Sequence, residues 1–477
     1  MQLRRPPRRW AVRGVLAALL VVLVLYAGVA TATHEPTQLG PGTISQPATG
    51  QTVISVQGFH HQGKASANKP ARLAAAGPNG SVQWVHNGKT QTSWFYDVDP
   101  LPDGTLLVTS TVPGDTVVYE YDPETGERLW TQRFDAKDTH DVDLINGDQL
   151  LVGNLRNYNE SAERNDDRVF VYDLSRDEVV WQWHLRTYFD RSQGSGYTGD
   201  WSHLNDVDKI GDGRYLLSPR NMDQVLVVNR STGRVTTSLG EDQNYSILNA
   251  QHNPDFFLDA AGRPTILVAD SGNDRVVEYT RVDGEWERTW TVTGFHWPRD
   301  ADRLPNGNTL VTDTLNHRVV EITPTGKVVW EVYAPWAPYD SERVAHGPGS
   351  NATGPAMIDR PAGGTYEVHG GDDSGIESRV TVADFIVRVT KGTPLAGPGK
   401  ALGNQWAHIV PFIRPFWMPS WAFGALVLAL FVGTGWGVTE LVYQRRRVRR
   451  WLGRVRVRVA DRLPTATAED ETPTDEE

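Results

Sequence analysis

Five stretches of this chain repeat one pattern, and that repeat limits the fold more than any other feature. They open "YDVDPLPDGTLLVTS" (96–110), "HDVDLINGDQLLVGN" (140–154), "NDVDKIGDGRYLLSPR" (205–220), "HNPDFFLDAAGRPTILVAD" (252–270) and "RDADRLPNGNTLVTD" (299–313). Each starts with a short alternating run, passes a turn such as Asp-Gly or Asn-Gly, and continues in an apolar run. That is the signal of a β-hairpin. A second hairpin follows in each, as in "DTVVYEYDPETGERLW", "DRVFVYDLSRDEVVW" and "HRVVEITPTGKVVW". Trp130, Trp181, Trp290 and Trp330 close four of the units. Four strands per unit, at a period of roughly 40–55 residues, read as blades of a β-propeller. A weaker unit over 45–92, through "TVISVQ" and "RLAAAGPNGSVQWVH", brings the count to six, with five or seven as the neighbouring alternatives. The 45 Gly, 29 Pro and 17 Trp suit many short strands joined by tight turns.

Two segments are apolar enough to leave water. Gly14 to Thr33 carries no charge and follows Arg4, Arg5, Arg8, Arg9 and Arg13. Pro415 to Thr439 is also uncharged, and "QRRRVRRW" follows it. Each is about 20–25 residues, the length of a bilayer-crossing helix. Basic clusters mark the cytoplasmic side, so both termini are expected inside and the middle of the chain outside. For the first segment a cleaved signal peptide is the rival reading, because "ATA" (Ala30 to Ala32) resembles a cleavage site. Either case exports the propeller.

The expected fold class is all-β, a six-bladed β-propeller flanked by one N-terminal and one C-terminal transmembrane helix. The expected organisation has six parts: a basic cytoplasmic segment (1–13), a transmembrane helix or signal anchor (14–33), the propeller (45–335), a Gly/Pro-rich cap or linker (336–414), a second transmembrane helix (415–439), and a basic then acidic disordered tail (440–477). The expected place is the cell membrane, with the propeller on the extracellular side. Five Asn-x-Ser/Thr triplets, at Asn79, Asn159, Asn229, Asn244 and Asn351, are candidate glycosylation sites.

Composition removes several function classes. With no Cys, disulfides and thiolate metal sites are excluded. The net charge of −11 argues against nucleic acid as a partner. Rare Lys beside Arg and frequent Asp resemble the protein style of halophiles.

The first strand of a blade lines the central channel, and the residues that open it face the channel mouth, where propellers bind ligands. Aligned on the "DVD" pattern, those positions hold Tyr96, His140, His203 with Asn205, His252 and Arg299. Three blades thus offer a His at equivalent places. Arg220 stands at the end of a second strand where other blades have Asp270 or Asp313. The recurring Asp residues are expected to bond backbone within their own blade. His60, His61, His86, His184, His317 and His346 fall outside the pattern and read as surface or loop residues; His296 is off register.

Such a set can bind a metal through imidazole, but no short ligand spacing such as HxH is present. It can also transfer an anionic group. A neutral His is a good nucleophile near pH 7. Arg offers a planar fork to sulfate or phosphate. Further His and Asn groups can stabilise charge on the oxygens in flight.

The run "DWSHLNDV…LLSPR", with "HDVDLI" before it and "NAQHNP" after it, resembles the arylsulfotransferase (ASST) family of exported propellers. The resemblance spans most of 95–335. It implies a six-bladed propeller whose nucleophilic His is transiently sulfated, passing a sulfuryl group from an aryl sulfate ester to a phenol. It implies no nucleotide donor, no metal and no other cofactor. Carried over by position, His252 is the nucleophile, and His203 and Asn205 are the paired sulfate and oxyanion ligands. Arg220 binds sulfate, and His140 is a general base or sulfate ligand. Arg299, from its place on the ring, joins the substrate-binding set. The family's further Thr falls nearest to Thr312 or Thr314. The small-molecule partners would be an aryl sulfate and a phenol. The β-domain that precedes the propeller in bacterial members has no room here, which leaves the oligomeric state open.

Two rivals share the fold. One is a non-catalytic surface propeller that binds a ligand or a protein. The other is a metal- or cofactor-dependent propeller enzyme such as a lactonase or a quinoprotein-like dehydrogenase. The inner-strand carboxylates lack a paired metal pattern, which argues against the second.

Overall fold

The computed structural model describes residues 8–61, 64–65, 68–88, 92–347, 354–371 and 381–445. The segment before Arg8, the end of the basic cluster, the acidic tail and Asn351 lie outside the described residues.

The repeats fold as six antiparallel sheets around one axis, a six-bladed β-propeller. Four sheets come straight from the hairpin pairs. They begin with the inner strands Trp94–Pro100, Val142–Ile145, Leu204–Gly211 and His252–Leu258. A further sheet begins with Pro298–Arg303, and Gly40–Ile44 is added at its outer edge beside Val328–Tyr333. Another outer edge, on the blade of His252–Leu258, receives Gly364–Glu367 as a parallel strand.

Ring closure corrects the expected domain boundary. The unit at 45–92 supplies only three strands of its blade, Thr52–Val56, Arg72–Ala76 and Val82–His86. Its innermost strand is Pro338–Arg343, from the segment read as cap or linker. "YDSER" carries no hairpin turn of its own, so it does not announce a blade. Its partner strand lies almost 290 residues earlier: Thr52 faces Arg343 and Ser55 faces Asp340. Pairing the two ends of the chain in one sheet closes the ring.

Indole hydrogen bonds and buried ion pairs join neighbouring blades. Trp181, Trp290 and Trp330 each donate the indole N–H to a turn carbonyl of the next blade, at Arg230, Pro324 and Pro78. Two buried arginines repeat one latch. Arg303 pairs with Glu278 of the preceding blade and stacks over Trp290. Arg343 pairs with Glu321 and stacks over Trp330. Burying such charges is tolerable only when each has an opposite charge beside it.

The channel aspartates also correct an expectation. They bond the backbone of the next blade, not their own. Asp141 accepts from the Val207 N–H, Asp143 from Lys209, Asp340 from Val98 and Asp300 from Ser341. Asp270 and Asp313 stay within their blades and pair with Arg275 and Arg318.

Helix α1 (Arg8–Ala32) and helix α4 (Ser420–Tyr443) are the two helices long and apolar enough to cross a membrane among the described residues. They pack antiparallel: Ala27 lies against Met418 and Ala422, while Arg13 pairs with Glu440 at the other end. Between the propeller and α4 the chain forms α2 (Val382–Thr390) and α3 (Ala396–Ile413), helices in a stretch read as linker.

A ring of histidines, arginines and tyrosines at the channel mouth

The blade register decides which side chains meet. In five inner strands a β-bulge falls where the site residue stands, as between Phe95 and Asp97, His252 and Asp255, or Pro298 and Asp300. A bulge breaks the alternation and re-aims a side chain. The site residue and the Asp after it can therefore both serve the channel. In this register the six opening positions hold Tyr96, His140, Asn205, His252, Arg299 and Tyr339.

His203 is therefore not at the repeat position of His140 and His252; Asn205 is. His203 sits two residues earlier, with φ of 45°. The same place in other blades holds Asp138, Ala250, Trp297 and Ala337, all with positive φ. That left-handed residue turns the chain into the inner strand. Where it carries a long side chain, a second group joins the ring.

The expected residues do come together. His140 and His203 have ring centroids 4.9 Å apart. His140 stacks on Tyr96 at 4.0 Å. Tyr339 lies edge-on to His252 at 6.0 Å and under the Arg299 guanidinium at 4.7 Å. All three histidines are buried. Thr312, by contrast, bonds Asp300 of its own blade and Ser341 of the next, away from the histidines.

Each histidine is held through Nδ1. His140 faces the Asp138 carbonyl at 2.6 Å. His203 faces the Asp200 carboxylate at 2.6 Å. His252 faces the Ala250 carbonyl at 3.1 Å and the Ser271 hydroxyl at 2.8 Å, and that hydroxyl donates to the Pro298 carbonyl. Carbonyl oxygens only accept, so the proton of neutral His140 and His252 sits on Nδ1. The Nε2 lone pair is then the free one.

The charge around these rings is positive at the rim. Arg156 bridges Asp138 at 2.6 Å and Asp200 at 3.1 Å. Arg220 bonds Asn221 and stands 4.0 Å from Asp200. Arg299 donates to Gln57 at 2.6 Å. Burial, with Arg299 and Arg220 next, holds His252 well below the usual imidazole range. Burial and then Arg220 push His203 down to about 3. Burial and then His203 lower His140. Neutral imidazoles among guanidinium groups form a site suited to an anion.

Three polar atoms here have no hydrogen-bond partner among the described residues: Asn205 Oδ1, Arg299 Nε and the Tyr339 hydroxyl. One amide hydrogen of Asn205 goes to the Gln251 carbonyl at 2.8 Å. No second hydrogen bond from that amide is present among the described residues.

Sequence reading missed Tyr339, Asp138, Asp200, Arg156 and Ser271. Only Tyr339 carried a signal: "YDSE" at 339–342 repeats the "YDVD" of 96–99. His317 is also placed differently from the surface or loop position expected. It accepts from the Ala337 N–H and stands edge-on to Trp336 at 5.0 Å.

The junction of α3 and α4 rests on the face of the ring that carries the site. Phe412 meets Phe59 at 4.7 Å, and Lys69 donates to the Pro411 and Arg414 carbonyls. Phe59 and Trp336 pack together with Ala337, just before the closing strand that carries Tyr339.

No curated protein matches the chain. Among solved structures it is similar to a protein of unknown function from Bacteroides caccae, with TM-score 0.40 and 14% identity over 61% of this chain and 100% of that one. A virginiamycin B lyase from Staphylococcus aureus gives TM-score 0.34 and 8% identity over 57% and 85%. Over residues 46–258, the stretch that holds His140, His203, Asn205, Arg220 and His252, the chain matches the model of the family described as Arylsulfotransferase (ASST).

Proposed function

We propose that the protein is an arylsulfotransferase that carries a sulfuryl group on His252. The observation that carries this reading is the pair of oxygens that face Nδ1 of His252. Two acceptors at Nδ1 leave the Nε2 lone pair free within the ring that holds Arg220, Arg299, Asn205 and two further histidines.

In the first half-reaction, the Nε2 lone pair attacks the sulfur of an aryl sulfate. The S–O bond to the aryl group breaks, and a phenolate leaves with that electron pair. The imidazole now bears Nε2–SO3⁻ and a positive ring, whose Nδ1–H points at Ser271 and the Ala250 carbonyl. Arg220, Arg299 and the free amide hydrogen of Asn205 hold the sulfuryl oxygens, where donors aimed at developing charge are most effective. In the second half-reaction, an acceptor phenol gives its proton to the Nε2 of His140 or His203, and its oxygen attacks the sulfur. The N–S bond breaks and returns its electrons to His252. No cofactor enters either step.

α1 and α4 anchor the chain in the cell membrane with both termini inside and the propeller outside. Their antiparallel packing and the basic clusters beyond them support this orientation. The site-bearing face is then turned toward the bilayer, since the junction of α3 and α4 rests on it.

The test is 4-nitrophenolate release from 4-nitrophenyl sulfate by the full chain in detergent, with and without a phenol acceptor. Acceptor-dependent release that His252→Ala abolishes is the expected result. A folded wild type inert toward several aryl sulfates would leave a surface propeller that binds without reacting.

A further inference from the structure

The reaction above uses none of the carboxylates that stand behind the site. The first and third residues after each opening position supply eleven carboxylates and one amide, Asn253, to a single cavity in the channel. Its volume is about 30 Å³. A water needs about 10–15 Å³ by this measure, so there is room for an ion with a water beside it.

Along the chain these residues show no ligand spacing. Across blades they meet. Carboxylate oxygens of Asp141, from one blade, and of Asp206 and Asp208, from the next, lie within 4.8 Å of one another. Two oxygens on one cation at about 2.4 Å can be no farther apart than that.

A second observation points to a ligand. One carboxylate oxygen each of Asp97, Asp206 and Asp302 has no hydrogen-bond partner among the described residues. These residues are only 8%, 6% and 6% exposed, and all line the cavity. An uncompensated buried carboxylate is costly. The nearby donors are already taken: the Val207 and Lys209 amides serve Asp141 and Asp143.

We infer that the channel binds one divalent cation of the calcium type, held by Asp141, Asp206 and Asp208. An all-oxygen cavity without His or Cys favours a hard cation. Calcium tolerates the irregular geometry of a carboxylate ring, whereas magnesium demands a near-ideal octahedron and keeps its waters. The ion ties two neighbouring inner strands together. The inference is independent of the reaction at His252, because it concerns groups that touch no substrate.

The experiment uses the full chain in detergent, stripped with a chelator, and radioactive calcium in equilibrium dialysis. One calcium per chain is expected, with Asp206→Asn and Asp208→Asn each weakening binding at least about tenfold, since affinity follows the number of charged ligands. Asp103→Asn, in an exposed turn, should bind as the wild type does. Removing one of several crowded charges relieves repulsion, so both cavity variants should melt in chelator no lower than the wild type. Absence of bound calcium on the wild type at about 1 mM free ion, the weak end of protein calcium sites, overturns the inference. So does calcium binding that Asp206→Asn and Asp208→Asn leave unchanged.

Discussion

Nδ1 of His252 lies 2.8 Å from the Ser271 hydroxyl, whose own proton is donated to the Pro298 carbonyl. The serine can then only accept from the imidazole. It fixes which nitrogen of His252 keeps a lone pair, and it faces the positive charge that forms when that lone pair is used. Ser271→Ala removes this partner but leaves the Ala250 carbonyl. The expected effect is a fall in kcat of about five- to tenfold, the worth of one hydrogen bond that strengthens with charge. KM for the donor should stay near the wild-type value. Steady-state kinetics with 4-nitrophenyl sulfate checks the split, and equal losses in kcat and in thermal stability would point to a merely structural serine.

Tyr339 closes the ring of site residues, and its hydroxyl has no partner among the described residues. Tyr339→Phe should therefore leave the melting temperature unchanged or slightly higher. If the hydroxyl serves a sulfuryl oxygen, kcat/KM should fall about tenfold or more, as for a hydrogen bond to a charged group. Parallel melting and kinetic assays separate the two effects.

Glu278 holds Arg303 of the next blade and also accepts from the Met357 N–H, with both charged side chains fully buried. Glu278→Ala leaves a buried guanidinium unpaired. The expected loss is about 3–5 kcal/mol, read from the urea midpoint. Exposed Arg133→Ala, which breaks the surface pair with Asp115, should cost less than about 1 kcal/mol.

The cavity carboxylates predict a pH slope. Burial, followed by neighbouring Asp143, raises Asp141 to about 8, and burial raises Asp300 to about 7. Both release their protons near pH 4 when unfolded. The folded state thus binds more protons, and stability falls as pH rises toward those values. The histidines act oppositely: His203 stays neutral in the fold down to about 3, so its contribution is lost only as pH drops below about 6.5. Between about pH 6.5 and 8 the carboxylates are unopposed. In chelator, the melting temperature should fall across that window, and calcium should flatten the slope.

Much of this was legible in the sequence because a propeller repeats its logic. The "DVD" register named five of the six opening positions, and hairpin turns marked the blades. What escaped was whatever the repeat does not encode. The closing strand has no hairpin partner adjacent in sequence, so Tyr339 stayed in a supposed linker. His203 looked equivalent to His140 until its left-handed backbone placed it two residues upstream. The aspartates were read one blade at a time, whereas their partners lie across the blade boundary. Asp138, Asp200 and Arg156 sit in loops, where position is set by folding and not by spacing.

The proposed reaction stands on a sulfuryl group carried by one nitrogen of one residue. The direct test mixes the full chain with 4-nitrophenyl sulfate and no acceptor, quenches at alkaline pH to preserve an N–S bond, and maps the digest by mass spectrometry. The expected result is one sulfuryl group on the peptide containing His252, which disappears when phenol is added before the quench. An unmodified His252 peptide during continuing nitrophenolate release, or a sulfuryl group on His140 or His203 instead, would contradict it.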